Sequence, residues 1–278
     1  MDIWQSASKS NEFLSTGWLG RYLDASCPQG NKPYLAIEVD DSLSLALKGS
    51  HMNGMALKNP SQLYQTTREP FFQDVVANKP AHLTEDNLGY LYKTLIETYS
   101  SAAYIYNTSR LYNVSYTYPA TGLGNQLKTV SQFINSGLQS RVYYISLSGF
   151  DTHVGQLGQQ NRVLEQFSNA IAAFLSDLNQ SGKLDQTLVM AFSEFGRRVE
   201  QNASNGTDHG TANNIMLFGG ALKQKGILSP SPDLTNLQNG DLIYKTDFRS
   251  VYASILKNWL NSSDASVLNG HFEILNFI

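Results

Sequence analysis

Acidic, imidazole and guanidinium side chains recur at three points between Val142 and Gly220. Asp151 and His153 stand two positions apart, shortly after the apolar run 142–147. In extended chain, residues i and i+2 point to the same side, so this carboxylate and imidazole can converge on one ion. Zinc or a similar divalent metal takes nitrogen and oxygen ligands at about 2.0–2.2 Å, usually three or four of them. His209 is the candidate third ligand. Its neighbour Asp208 faces the opposite way in extended chain. The two residues therefore serve two different ions, or one is a ligand and the other orients a ligand. Glu194 follows the apolar run 187–192 as a further candidate carboxylate ligand, with Arg197 or Arg198 within reach of a bound anion. Zinc is the first expectation for the ion, with magnesium, manganese or calcium as alternatives.

Each residue also has a plainer role. Asp-x-His is a common loop hydrogen-bonding pair, and Asp208 in a loop rich in Gly and Asn is a turn residue by default. Glu194 at a strand end can simply pair with a neighbouring arginine. The metal reading gains from placement, because two of the clusters fall where apolar runs stop. In an open α/β sheet, ligands bind beyond the carboxyl ends of the strands.

The surrounding elements follow from periodicity. Leu127, Val130, Phe133, Ile134 and Leu138 mark a helix that stops near Gly137, and the strand at Val142 follows. Leu157 to Leu178 carries a second apolar stripe, closed by Gly182 before the strand at Thr187. Helix leading into strand, twice over, predicts a largely parallel sheet. A further helix is expected after a cap at Thr84, with Leu88, Leu91, Leu95 and Ile96 on its apolar face, and a last one after Thr246 and Asp247. Tyr34 to Asp40 and Leu43 to Leu47 read as a β-hairpin turning at Asp40 to Ser42. Residues 1–33 read as loop with short helical turns, closed by Pro28 and Gly30. Lys48 to Pro80 reads as irregular, its prolines forbidding a long helix.

Bulk properties narrow the function. At 278 residues and 41% hydrophobic content, one large globular domain is expected. The net charge is −3 and the 20 basic residues are scattered, which argues against nucleic acid as a partner. No apolar run approaches the roughly 18–20 residues of a membrane span. The lone Cys27 excludes an internal disulfide. Ser148 and Ser193 lack the Gly-x-Ser-x-Gly elbow of a hydrolase nucleophile, and no GxGxxG follows a strand. His51, His82 and His271 read as surface or capping residues.

Five ordered stretches, 123–130, 141–153, 193–197, 207–210 and 247–252, resemble the domain-of-unknown-function family 1501 (DUF1501). That family is similar to the alkaline phosphatase and sulfatase superfamily. The resemblance implies a single domain over residues 1–278, a three-layer α/β/α sandwich with a largely parallel central sheet, and a metal-dependent hydrolase of phosphate or sulfate esters. It places Asp151, His153 and His209 on one metal and Glu194 on a second. Two departures stand out: one residue, not three, separates Asp151 from His153, and Glu194-Phe195 replaces an Asp-His pair. The superfamily's first strand, with its Asp ligand and hydroxyl or thiol nucleophile, has no counterpart here, so the nucleophile is expected outside this chain. The resemblance further implies export to the periplasm or cell surface. The alternative expectation is a non-catalytic exported protein that binds a glycan, a lipid or a protein partner.

Overall fold

A computed structural model describes residues 2–26, 32–78 and 87–278. In chain order the elements are α1 (Asp2–Ser6), α2 (Trp18–Ser26), β1 (Ala36–Glu38), β2 (Met55–Ala56), α3 (Pro60–Thr67), α4 (Pro70–Ala77), α5 (Asn87–Ser109) and α6 (Gly122–Asn135). There follow β3 (Val142–Tyr144), α7 (Gln156–Gln180), β4 (Val189–Ala191), β5 (Gly196–Arg197), β6 (His209–Gly210), β7 (Met216–Phe218), β8 (Leu237–Gln238), β9 (Asp241–Leu242), α8 (Phe248–Asn258) and α9 (Asp264–Leu268). The architecture is mixed α/β. A parallel sheet runs β2-β1-β3, and β4–β7, β5–β6 and β8–β9 are antiparallel pairs. Among the described residues no helix is long and apolar enough to cross a membrane.

The helices form where their caps and stripes dictate. The Thr121 side chain accepts the Gly124 N–H to start α6, and Gly137 (φ 79°) turns the chain away from its end. Leu123, Leu127, Val130 and Phe133 of α6 meet Ile171, Phe174 and Leu178 of α7 in one buried cluster with Ile37 and Val39. A second cluster joins Trp18, Tyr22 and Leu23 of α2 to Val251, Tyr252 and Leu256 of α8. Burying such side chains contributes about 1.5–3 kcal/mol each. Strand residues divide between the clusters by alternation: Ala36, Val142, Tyr144, Met190 and Leu217 join the α2–α8 group, while Ile37, Tyr143, Val189 and Phe218 join the α6–α7 group. The strands thus carry apolar side chains toward helices on both faces.

Several expectations need correction. There is no hairpin at 34–47. Ala36–Glu38 pairs in parallel with β2 and β3, and Leu45–Leu47 is a turn of 3-10 helix. The cause is Glu38, which is 2% exposed and accepts both the N–H and the hydroxyl of Ser44, curling the chain where a partner strand would start. The stretch expected to be irregular holds α3 and α4. Pro60 and Pro70 open these helices, since a first-turn proline forgoes no internal hydrogen bond. Asn59 caps α3 by accepting the N–H groups of Ser61 and Gln62.

Leu88 and Leu91 are exposed, and α5 packs through Ala102 and Ile105 in its later half. The sheet is parallel only across β2-β1-β3, because β4 pairs antiparallel with β7. No helix bridges β4 and β7, and a parallel return needs a crossover of that kind. No sheet joins β3 to β4 among the described residues. The expected cap at Thr84, the ends at Pro28, Gly30 and Pro80, and Cys27 and His82 lie outside the described residues.

Candidate metal centre

Asp151 and His153 lie in the segment between β3 and the start of α7, and His209 lies on β6. Gly155, at φ 55°, and the backbone bonds Gly155 N–H to Ser204 O and Gln156 N–H to Asn205 O hold the first segment against the 202–207 turn. A Cβ on Gly206 would sit 2.2 Å from the His153 carbonyl, so only glycine admits this approach. On the other side, β5 pairs with β6 so that Arg197 stands opposite His209 and Gly196 opposite Gly210. A Cβ on Gly196 would meet the Ala212 carbonyl oxygen at 1.7 Å. Glycine there lets the loop fold tightly back on itself.

Three ligand-type atoms converge in the result. Asp151 Oδ1 lies 2.8 Å from His209 Nε2 and 3.0 Å from His153 Nε2, and the two Nε2 atoms are 3.2 Å apart. Among the described residues these three form the one cluster with metal-ligand spacing. Two neutral rings that both donate Nε2–H to the carboxylate would turn their protons toward each other across the short nitrogen–nitrogen contact. Three lone pairs directed at one cation remove that conflict. Tetrahedral bonds of about 2.0–2.1 Å put ligand atoms about 3.3 Å apart, close to the spacings found here. The donor set, two imidazoles and a carboxylate, suits zinc.

The surrounding groups have distinct tasks. Asp208 Oδ1 lies 3.3 Å from His153 Nδ1, the far side of the ring from the cluster, where a carboxylate could orient the imidazole. Arg197 donates to the Thr207 carbonyl (2.7 Å), the Phe150 carbonyl (2.6 Å) and Asp151 Oδ1 (2.9 Å), and its buried Nε has no partner. The Asp151 carboxyl is held below the usual carboxylate range, first by the hydrogen bonds from His209 and Arg197 and then by electrostatic interaction with the imidazoles. Phe195 stacks on His209, with ring centroids 4.1 Å apart and planes 9° from parallel. Sequence reasoning gave Phe195 no role.

Other candidates lie apart from this cluster. Glu194 Oε1 accepts from Gln5 Nε2 at 2.8 Å. Together with Glu38 it adds to burial in pushing the Tyr144 hydroxyl upward. Arg198 reaches the Asn239 carbonyl in the β8–β9 turn. The His51 N–H donates to Asp24, and His271 is exposed 3.7 Å from Asp264. The side chains of Asp151, His153 and His209 are 60%, 44% and 41% exposed, so the triad is open to solvent.

A family model described as "Protein of unknown function (DUF1501)" matches residues 119–259, a segment that contains all of these side chains except Gln5, Asp24, Glu38, His51, Asp264 and His271. Neither a curated protein nor a solved structure matches the chain.

Proposed function

Because the chain belongs to the DUF1501 family, we propose that it is a metal-dependent hydrolase of phosphate or sulfate esters on an alkaline-phosphatase-like three-layer α/β/α sandwich. The observation that carries this reading is the convergence of Asp151 Oδ1, His153 Nε2 and His209 Nε2 within 3.2 Å of one another. The apolar side chains on both faces of the strands are consistent with the sandwich. Bound at the triad, a divalent cation, zinc first, supplies a Lewis acid toward an ester oxygen and a more acidic water.

The residues divide the remaining work. Asp151, His153 and His209 bind, and Asp208 keeps the His153 proton on Nδ1 so that Nε2 presents a lone pair. The nearby hydroxyls are already engaged: Thr152 Oγ1 contacts the Phe150 carbonyl, and Thr207 Oγ1 pairs with Gln156. Neither serves as the nucleophile. Metal-free protein titrated with zinc by calorimetry should bind one ion. Turnover of p-nitrophenyl phosphate, its bis-ester and p-nitrophenyl sulfate should disappear in His153→Ala. No bound ion with zinc in excess would sink the reading.

A second reading, a non-catalytic exported protein that binds a glycan, lipid or protein partner, is favoured by one feature. The triad is exposed, whereas small-molecule sites are usually concave. The cavity at Tyr22, Arg141, Gln186 and Trp259 and the groove at Asp40, Lys58, Gln126 and Ser148 contain no triad residue. Zinc binding without turnover of any of the three esters would select this alternative.

A further inference from the structure

The two imidazoles of the triad are aimed by different means. His153 has a carboxylate, Asp208, on its Nδ1. His209 has no polar partner on Nδ1 among the described residues; it sits half-exposed on a two-residue strand, and its polar contacts, to Asp151 and His153, are all on Nε2. What it does have is the face of Phe195, nearly parallel at 4.1 Å. The Arg197 guanidinium lies 4.9 Å from the same phenyl ring and donates to Asp151.

We infer that Phe195 and Arg197 are positioning residues for the triad: Phe195 sets the plane of the His209 imidazole, and Arg197 sets the Asp151 carboxylate. Only the metal-affinity part of this inference rests on the function proposed above. Phe195 and Arg197 stand at i and i+2 across Gly196, so one extended turn of chain sends both side chains to the same side. Arg197 is also the register partner of His209, so β5 carries one support for each of two ligands.

Stacking suits this task better than a hydrogen bond in an open site. It restricts ring tilt and leaves Nδ1 free to keep its proton, so that Nε2 offers the lone pair. It also strengthens when a cation on Nε2 draws electron density from the imidazole, because the phenyl face is the negative part of its quadrupole. Arg197, tied to two backbone carbonyls, cannot swing away from Asp151 without breaking both contacts.

The test compares Phe195→Leu, which keeps an apolar side chain but loses the π face, with Phe195→Tyr, which retains it. In metal-free protein, NMR should show the His209 ring protons shifted upfield by the phenyl ring in the parent and in Phe195→Tyr, and moved back downfield in Phe195→Leu. Zinc affinity by calorimetry should fall about 10–100-fold in Phe195→Leu and stay near the parent in Phe195→Tyr. Arg197→Lys should weaken zinc by a similar factor while leaving the His209 shifts in place. Unchanged His209 shifts in Phe195→Leu overturn the inference, as does unchanged zinc affinity. If the parent binds no zinc but its His209 shifts behave as stated, the metal function fails and the stacking role of Phe195 stands.

Discussion

Glu38 and Asp151 are both acids beyond or at the end of neighbouring parallel strands, β1 and β3, yet their circumstances are opposite. Glu38 is 2% exposed, and burial raises its carboxyl above the usual range despite two hydrogen bonds from Ser44. Asp151 is 60% exposed, and His209 and Arg197 hold its carboxyl below that range. One acid is enclosed by the chain it curls, the other lies open beside two imidazoles and a guanidinium. Position at a strand end does not separate the two roles; the donors that surround each carboxylate do.

The contrast can be broken most decisively at the triad. His153→Ala should weaken zinc binding by more than about 100-fold, which is about 2.7 kcal/mol. It should leave the melting temperature almost unchanged, because exposed positions usually shift stability by about 0.5 kcal/mol or less. Calorimetry and thermal melts check both halves. Glu38→Ala should do the reverse, costing about 1–3 kcal/mol of stability by leaving the Ser44 donors unpaired while zinc binding stays intact. Denaturant titration measures this, and a large loss of zinc affinity would show that the two regions are not separate. Asp208→Asn should lower zinc affinity about 10–100-fold with the stoichiometry kept.

The smallest effect is in pH. Because the Glu38 pKa is raised in the fold, its contribution to stability is fully present below the ordinary glutamate value and is lost as pH rises through the folded value. Glu38→Gln removes this dependence. The melting temperature of the variant relative to the parent should therefore climb as pH rises above the ordinary glutamate value. A difference that stays flat, or falls, would mean that burial does not raise the Glu38 carboxyl.

Much of the triad was legible because its signal is local. Asp151 and His153 announce themselves by spacing, and the helical stripes of α6 and α7 by their period. What the sequence hid depends on distant partners. Glu194 reads as a candidate ligand, and its hydrogen bond from Gln5, far away in the chain, cannot be read from spacing. Asp208 had two readings, and no spacing reveals its place 3.3 Å from His153 Nδ1. Phe195 looked like a lost ligand because stacking leaves no trace in spacing. The hairpin failed since nothing in residues 34–47 reveals that Glu38 is buried. The antiparallel pairing of β7 with β4 departs from the expected parallel sheet for a similar reason: apolar runs show that strands exist, not which edge each one takes.

Among the described residues β3 and β4 share no ladder, and this has a mechanical corollary. Asp151 and His153 ride on the chain leaving β3, while His209 rides on β6, in the excursion between β4 and β7. Helices, packed rings such as Tyr144 against Phe192, backbone bonds such as Gly155 N–H to Ser204 O, and side-chain ties such as Arg197 to Phe150 span the seam. Sliding of one group of strands past the other would strain these ties beside the triad, the Arg197 contacts and the Gly155–Ser204 and Gln156–Asn205 backbone bonds among them.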